Sequence, residues 1–191
     1  TIDRNTINTR VGAGGTRGLL LNNVSGALVV ARNAITGTST TFYGMVLSSV
    51  SGTAATPIRF ENNSIIGINS GLGAFNVLAG TCNYLEILHN SISMTGGTTG
   101  QGVTMVSGSG IGCRVLNNAI RSVGPGLRVE PASRVSAADN NVIYATNTNA
   151  IWWGTAWYYD IPSLAAGSGM NGNSLMMDPM FVSNTADLHL Q

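Results

Sequence analysis

Apolar side chains occupy every second position in several short stretches, among them Ile58-Arg59-Phe60-Glu61, Leu85-Glu86-Ile87-Leu88 and Cys113-Arg114-Val115-Leu116. A period of two sends successive side chains to opposite faces, so these stretches are predicted as strands. An Asn follows, with an Ile two residues further on. The pairs are Asn5/Ile7, Asn33/Ile35, Asn63/Ile65, Asn90/Ile92, Asn118/Ile120 and Asn141/Ile143, at spacings of 28, 30, 27, 28 and 23 residues. After a connection rich in Gly, Ser and Thr comes a second strand-like run, at 18–21, 44–47, 74–77, 102–105 and 126–129. In the last repeat Ala150-Ile151-Trp152-Trp153 takes that place.

One such repeat cannot bury its own apolar face, but repeats stacked like on like build a continuous core. The predicted fold is therefore all-β: a single-stranded, right-handed parallel β-helix (a solenoid) of about six coils. The hand is the one that crossovers between parallel strands adopt. Residues 1–153 form the coils. Residues 154–191 form an irregular excursion and closing segment of the same domain, since the last spacing contracts and 154–177 contains no Asn-x-Ile. Six coils about 4.8 Å apart make a rod of roughly 29 Å.

Aligning the repeats gives columns. Ile2, Val30, Phe60, Ile87, Val115 and Ala138, three residues before each Asn, form one inward column, and the Ile residues form another. Asn suits the bend because it tolerates left-handed backbone geometry and its amide can bond to the Asn of the next coil. Four residues before the Asn, the outward sequence Arg59, Glu86, Arg114 alternates in sign and reads as a surface charge ladder. An isolated β-helix leaves strand edges unpaired, so the stack is expected to be continued or covered by flanking coils or another chain, at least at Thr1.

Composition fits a rod with a polar but weakly charged surface. Charged residues are 9% of the chain and hydrophobic ones 43%; all nine basic residues are Arg, and the net charge is +1. With the arginines scattered, no nucleic-acid partner is expected. No apolar run reaches the roughly 20 residues of a membrane span. The two cysteines are too few for a metal site or a disulfide framework. Cys113 falls on an inward position and reads as a buried hydrophobe, with a disulfide to Cys82 as the alternative.

The eight carboxylates are Asp3, Glu61, Glu86, Glu130, Asp139, Asp160, Asp178 and Asp187. Glycoside hydrolysis needs two of them facing one groove, about 5 to 9.5 Å apart. Asp3, Glu61 and Asp139 share an outward column but lie roughly 10 and 14 Å apart by strand spacing. Glu61 and Glu86 are closer, yet Arg59 and Arg114 flank Glu86 and would hold it ionised, the wrong state for a general acid. A calcium-dependent lyase would need clustered acids, and Asp139-Asn140-Asn141 reads as a turn instead. His89 sits beside a bend and reads as exposed; His189 reads as structural. Neither has companions for a metal set. Gly12-Ala13-Gly14-Gly15 is glycine-rich, but a chain without lysine cannot complete a P-loop. No catalytic residue, metal site or cofactor is assigned.

Trp152, Trp153, Trp157, Tyr158 and Tyr159 crowd into eight residues. They read as bulky cover where the regular coil breaks down. They are also the chain's candidate ligand site, since exposed Trp and Tyr faces stack on sugar rings.

The Asn-x-Ile coils resemble the parallel β-helix repeats of large secreted bacterial proteins. The closing run is similar to the end of many such proteins: Tyr159-Asp160-Ile161-Pro162-Ser163-Leu164, Asn173-Ser174-Leu175, Asp178-Pro179-Met180-Phe181-Val182 and Asp187-Leu188-His189-Leu190-Gln191. The resemblance implies a right-handed β-helix, an extracellular or cell-surface location and an adhesin-like role. Many relatives come from Bacteroidetes and carry a carboxyl-terminal domain for type 9 secretion, of which this chain shows none. Partners would be polysaccharide or surface proteins. The expected function is a non-catalytic structural or adhesive stalk segment. The alternatives are a carbohydrate-binding module and, third, a fragment of a polysaccharide lyase or glycoside hydrolase, because the same fold hosts all of these.

Overall fold

The computed structural model describes residues 1–9, 15–68, 72–97, 99–106, 108–147 and 150–190. Gly12, Ala13, Gly14 and Gln191 lie outside the described residues. The chain is a β-solenoid whose coils each contribute one strand to three parallel sheets. Sheet A is Ile2–Asp3, Val29–Ala31, Ile58–Glu61, Leu85–Leu88, Cys113–Leu116 and Val135–Asp139. Sheet B follows each ladder Asn: Thr6–Thr9, Ala34–Gly37, Ser64–Gly67, Ser91–Met94, Ala119–Ser122 and Val142–Ala145. Sheet C is Thr16–Ser25, Phe42–Ser51, Gly73–Ala79, Gln101–Met105, Leu127–Val129 and Ile151–Trp153. Six parallel strands per sheet make five coil-to-coil steps, and sheet C gains a seventh, antiparallel strand at its end, Ala156–Tyr158. The three faces enclose one continuous apolar core.

The register follows the columns read from the sequence. Ile2, Val30, Phe60, Ile87, Val115 and Ala138 are aligned partner to partner, as are the six Ile residues. In sheet C the inward column is Leu19, Met45, Phe75, Val103, Leu127 and Ile151. Small residues precede this column for a steric reason. A Cβ on Gly44 would lie 2.5 Å from the Cγ2 of Ile65 in the next coil, and one on Gly126 would lie 2.4 Å from that of Ile143. At the Gly44 and Gly126 levels the corner between sheets B and C therefore has no room for a side chain beside the Ile column, while Ala74 and Ala150 show that a methyl is the most it takes elsewhere.

At the A–B corner the Asn side chains form an unbroken ladder. Each Nδ2 donates to the Oδ1 of the Asn one coil on, at 2.9–3.0 Å from Asn5 to Asn33 through to Asn118 and Asn141. The backbone N–H of each Asn donates to that same Oδ1 at 3.0 Å. From Asn33 onward, Nδ2 also donates to the carbonyl of the inward residue one coil back, as Asn63 does to Val30 at 2.9 Å. Both donors and the acceptor oxygen are thus satisfied in a dry corner, where an orphaned amide would be costly.

The left-handed backbone falls not on the ladder Asn but on the residue before it. Arg4, Arg32, Asn62, His89, Asn117 and Asn140 all have φ between 53° and 57°. For a side chain other than glycine this conformation costs about 1–2 kcal/mol. The ladder bonds next to it offset that cost and fix the bend.

Segment 154–177 closes the last coil. Gly154, at φ 66°, turns the chain so that Ala156–Tyr158 pairs antiparallel with Ile151–Trp153. The helix Ile161–Ser168 is capped by the Asp160 carboxylate, which accepts from Ser163 N at 2.7 Å, and ends at Gly169 with φ 68°. Leu164 buries fully in the core. The chain then begins another coil: Ser174 Oγ accepts from Asn141 N at 3.1 Å, and Leu175 bridges Val142 in parallel. Ser174 thus stands where a further ladder Asn would offer its oxygen. Past that point the chain doubles back over sheet B as a strap. Arg121 pairs with Asp178, and Ser93 Oγ donates to Asn184 O at 2.7 Å. Phe181 and Leu188, from the hairpin Phe181–Ser183 and Asp187–Leu190, pack against Ile66, Ile68 and Ala119 on the outer face of sheet B.

Candidate functional site

The five aromatic residues do not form one surface. Alternation along the strand sends Ile151 and Trp153 inward and Trp152 outward, in register with Leu127, Val129 and Arg128. Trp153 is only 4% exposed and belongs to the core; Tyr158 is packed against it. Trp152 and Trp157 face each other across the antiparallel pair, edge to face, with centroids 5.0 Å apart. Trp152 Nε1 donates to Glu130 at 3.2 Å. Trp157 is 36% exposed and Tyr159 59%. Tyr159 lines a separate, shallow hollow of about 200 Å³ with Tyr144 and Met176. The aromatic run therefore divides into core cover and a smaller outward pair.

The carboxylates are distributed in a way that bears on chemistry. Asp3, Glu61 and Asp139 do share one column, separated by Ala31 and then by Leu88 and Leu116. Each acid has a structural partner. Arg32 binds Asp3 through Nε at 2.9 Å and also through a terminal guanidinium nitrogen, and this holds the Asp3 carboxyl below its usual range. Arg114 binds Glu86 at 2.7 Å. Arg59 was expected to share in the Glu86 charge ladder, but its ion pair is with Glu61 at 3.8 Å, two residues along its own strand. Asp139 accepts from the Asn173 backbone and side chain at 2.8 and 2.7 Å. Burial works to raise its pKa, and those hydrogen bonds outweigh burial and lower it. Glu130 serves Trp152, Asp160 caps the helix, Asp178 holds Arg121 and Asp187 holds His189. Asp3, Glu61, Glu86 and Asp178 are each taken up by an arginine, and no two of them face each other across an open groove.

Cys82 and Cys113 are both free and buried, with Cys113 Sγ 3.5 Å from the Cys82 carbonyl oxygen. Burial pushes both thiols up, which leaves them poor nucleophiles. Among the described residues no group of three or more His, Cys, Asp and Glu could hold a metal ion. No helix among them is long and apolar enough to cross a membrane.

The larger concavity lies elsewhere. A groove of about 470 Å³ runs between the strap and the A–B corner, and both histidines line it. His89 is exposed on the corner, as read from the sequence. His189 departs from its structural reading: its imidazole is 89% exposed and bonded to Asp187. Nothing in the local sequence joins residues 62–64, 89–91 and 186–189. Only the fold-back of the strap brings them together.

No protein-family model matches this chain, and no curated protein or solved structure shows significant similarity to it.

Proposed function

We propose that this chain is a non-catalytic structural or adhesive stalk segment of a secreted or cell-surface protein. The observation that supports this reading is the engagement of all eight carboxylates: Asp3, Glu86, Glu130 and Asp139 bond to a later turn of the chain, Asp160 caps the helix, Asp178 holds the strap, and Glu61 and Asp187 pair with a neighbour two residues away. Acid–base chemistry on a glycan needs a pair of carboxyl groups free to face the scissile bond, one of them able to carry a proton. The ladder and the three inward columns instead put the sequence to work on a stiff, repetitive rod. Its sparse charge and its Asn, Ser, Thr and Gly surface suit an exposed, extracellular position.

The test is incubation of the purified chain with neutral and acidic polysaccharides, reading reducing ends and unsaturated uronate absorbance. The expected result is no product above a heat-denatured control. Turnover abolished by Glu86→Gln or Glu61→Gln would overturn the reading.

A further inference from the structure

The groove beside the strap has a floor built from two adjacent coils. Asn62 and His89 occupy the same left-handed bend position, and Ser64 is the direct register partner of Ser91. The floor therefore sets two polar side chains on each of two adjacent coils, at the strand spacing of about 4.8 Å; on either side the serine column continues as Ala34 and Ala119. Among the described residues none of these four side chains makes a hydrogen bond. They line the groove with their amide, hydroxyl and imidazole groups available. The wall is Asp187 and His189; the carboxylate accepts from the His189 backbone N–H at 3.0 Å and contacts its Nδ1, which orients the ring. Ala34 and Ala186 add small apolar surface.

We propose that this groove binds a neutral, hexose-based glycan chain laid along the coil axis. Neutral groups that can both donate and accept match sugar hydroxyls, which do the same. No arginine lines the groove and Asp187 contributes negative charge, so an anionic ligand is disfavoured. A single carboxylate, already hydrogen-bonded, does not make a cation site. Polar pairs on two successive coils favour linked sugar units along the axis over a single compact ligand. The inference adds a site to the stalk reading without resting on it.

The test is a nuclear magnetic resonance titration of the full chain, following the His89 and His189 imidazole signals. The probes are cellohexaose and mannohexaose as neutral chains and oligogalacturonate as an acidic one. A neutral probe is expected to shift both histidines saturably. Ser64→Ala and Ser91→Ala touch no ladder bond and should each weaken binding roughly three- to tenfold. Trp157→Ala, on the aromatic hairpin, should leave binding unchanged. The proposal is overturned if no neutral probe moves either histidine, if the acidic chain binds more tightly, or if Trp157→Ala weakens binding while the serine variants do not. Binding without turnover leaves the stalk reading intact. Turnover would remove that reading and leave the groove assignment standing.

Discussion

Ile2, Ile7 and Leu19 in the first coil occupy the same columns as Ala138, Ile143 and Ile151 in the last. The first three are half-buried, whereas the last three are buried. Among the described residues both coils have a regular neighbour on one side only. What separates them is the segment after Trp153: a hairpin strand, a capped helix that inserts Leu164, and a partial coil that presents Ser174 to Asn141. Burial of an inward column therefore depends on neighbours above and below. A short irregular segment can stand in for a whole coil when it supplies both apolar cover and the ladder's next hydrogen-bond acceptor.

The sharpest way to test that contrast is along the ladder itself. Asn63→Ala removes a buried amide that accepts from Asn33 and donates to Asn90 and Val30. The expected cost in chemical denaturation is on the order of 3–5 kcal/mol, because buried partners are left unpaired. Asn5→Ala at the exposed end should cost under about 1 kcal/mol. Equal effects would show that the ladder's worth does not depend on burial on both sides.

Leu164→Ala addresses the cap. It empties a fully buried site and should cost about 2–4 kcal/mol. The added hydrogen exchange should be concentrated in 135–153 rather than spread over the stack. A uniform loss would mean that the helix stabilises the whole rod and not its end.

The smallest effect is on pH. Hydrogen bonds hold Asp139 and Asp160 at the closed end below their usual range, and Arg32 does the same for Asp3 at the other end. A carboxylate with a depressed folded pKa stabilises above its unfolded value, near about 3.9, and loses that contribution as pH falls through the folded value. The closed end should therefore lose part of its advantage only in acid, below about pH 4. Asp139→Asn should flatten that loss. A decline already present near neutrality would point to other groups.

The repeat made the columns legible in the sequence, because a coil must place like residues over like and each of the six Ile residues announces its level. The ladder Asn was legible for the same reason. The residue before it was legible only in part: Asn62, Asn117 and Asn140 are of a type that tolerates left-handed geometry and His89 is a lesser case, but nothing in the side chains of Arg4 and Arg32 favours it, and there the bonds of the neighbouring Asn impose the bend. The split of the aromatic run could have been read from register, since Trp152 aligns with outward Arg128 and Trp153 with inward Val129. The groove was beyond reach. It depends on a contact between Ser93 and Asn184, 91 residues apart, and its local traces are Ile66 and Ala119, apolar residues on outward positions that the strap covers.

One ladder runs through the stack and is closed at its far end by Ser174. Native-state hydrogen exchange at the backbone amides of Asn5, Asn33, Asn63, Asn90, Asn118 and Asn141 tests this most directly. The predicted result is weak protection at Asn5, a rise by Asn33, and a plateau that holds through Asn141, whose N–H is taken by Ser174. Protection that falls away at Asn141 as it does at Asn5 would contradict the account, because the closing segment would then not be completing the stack.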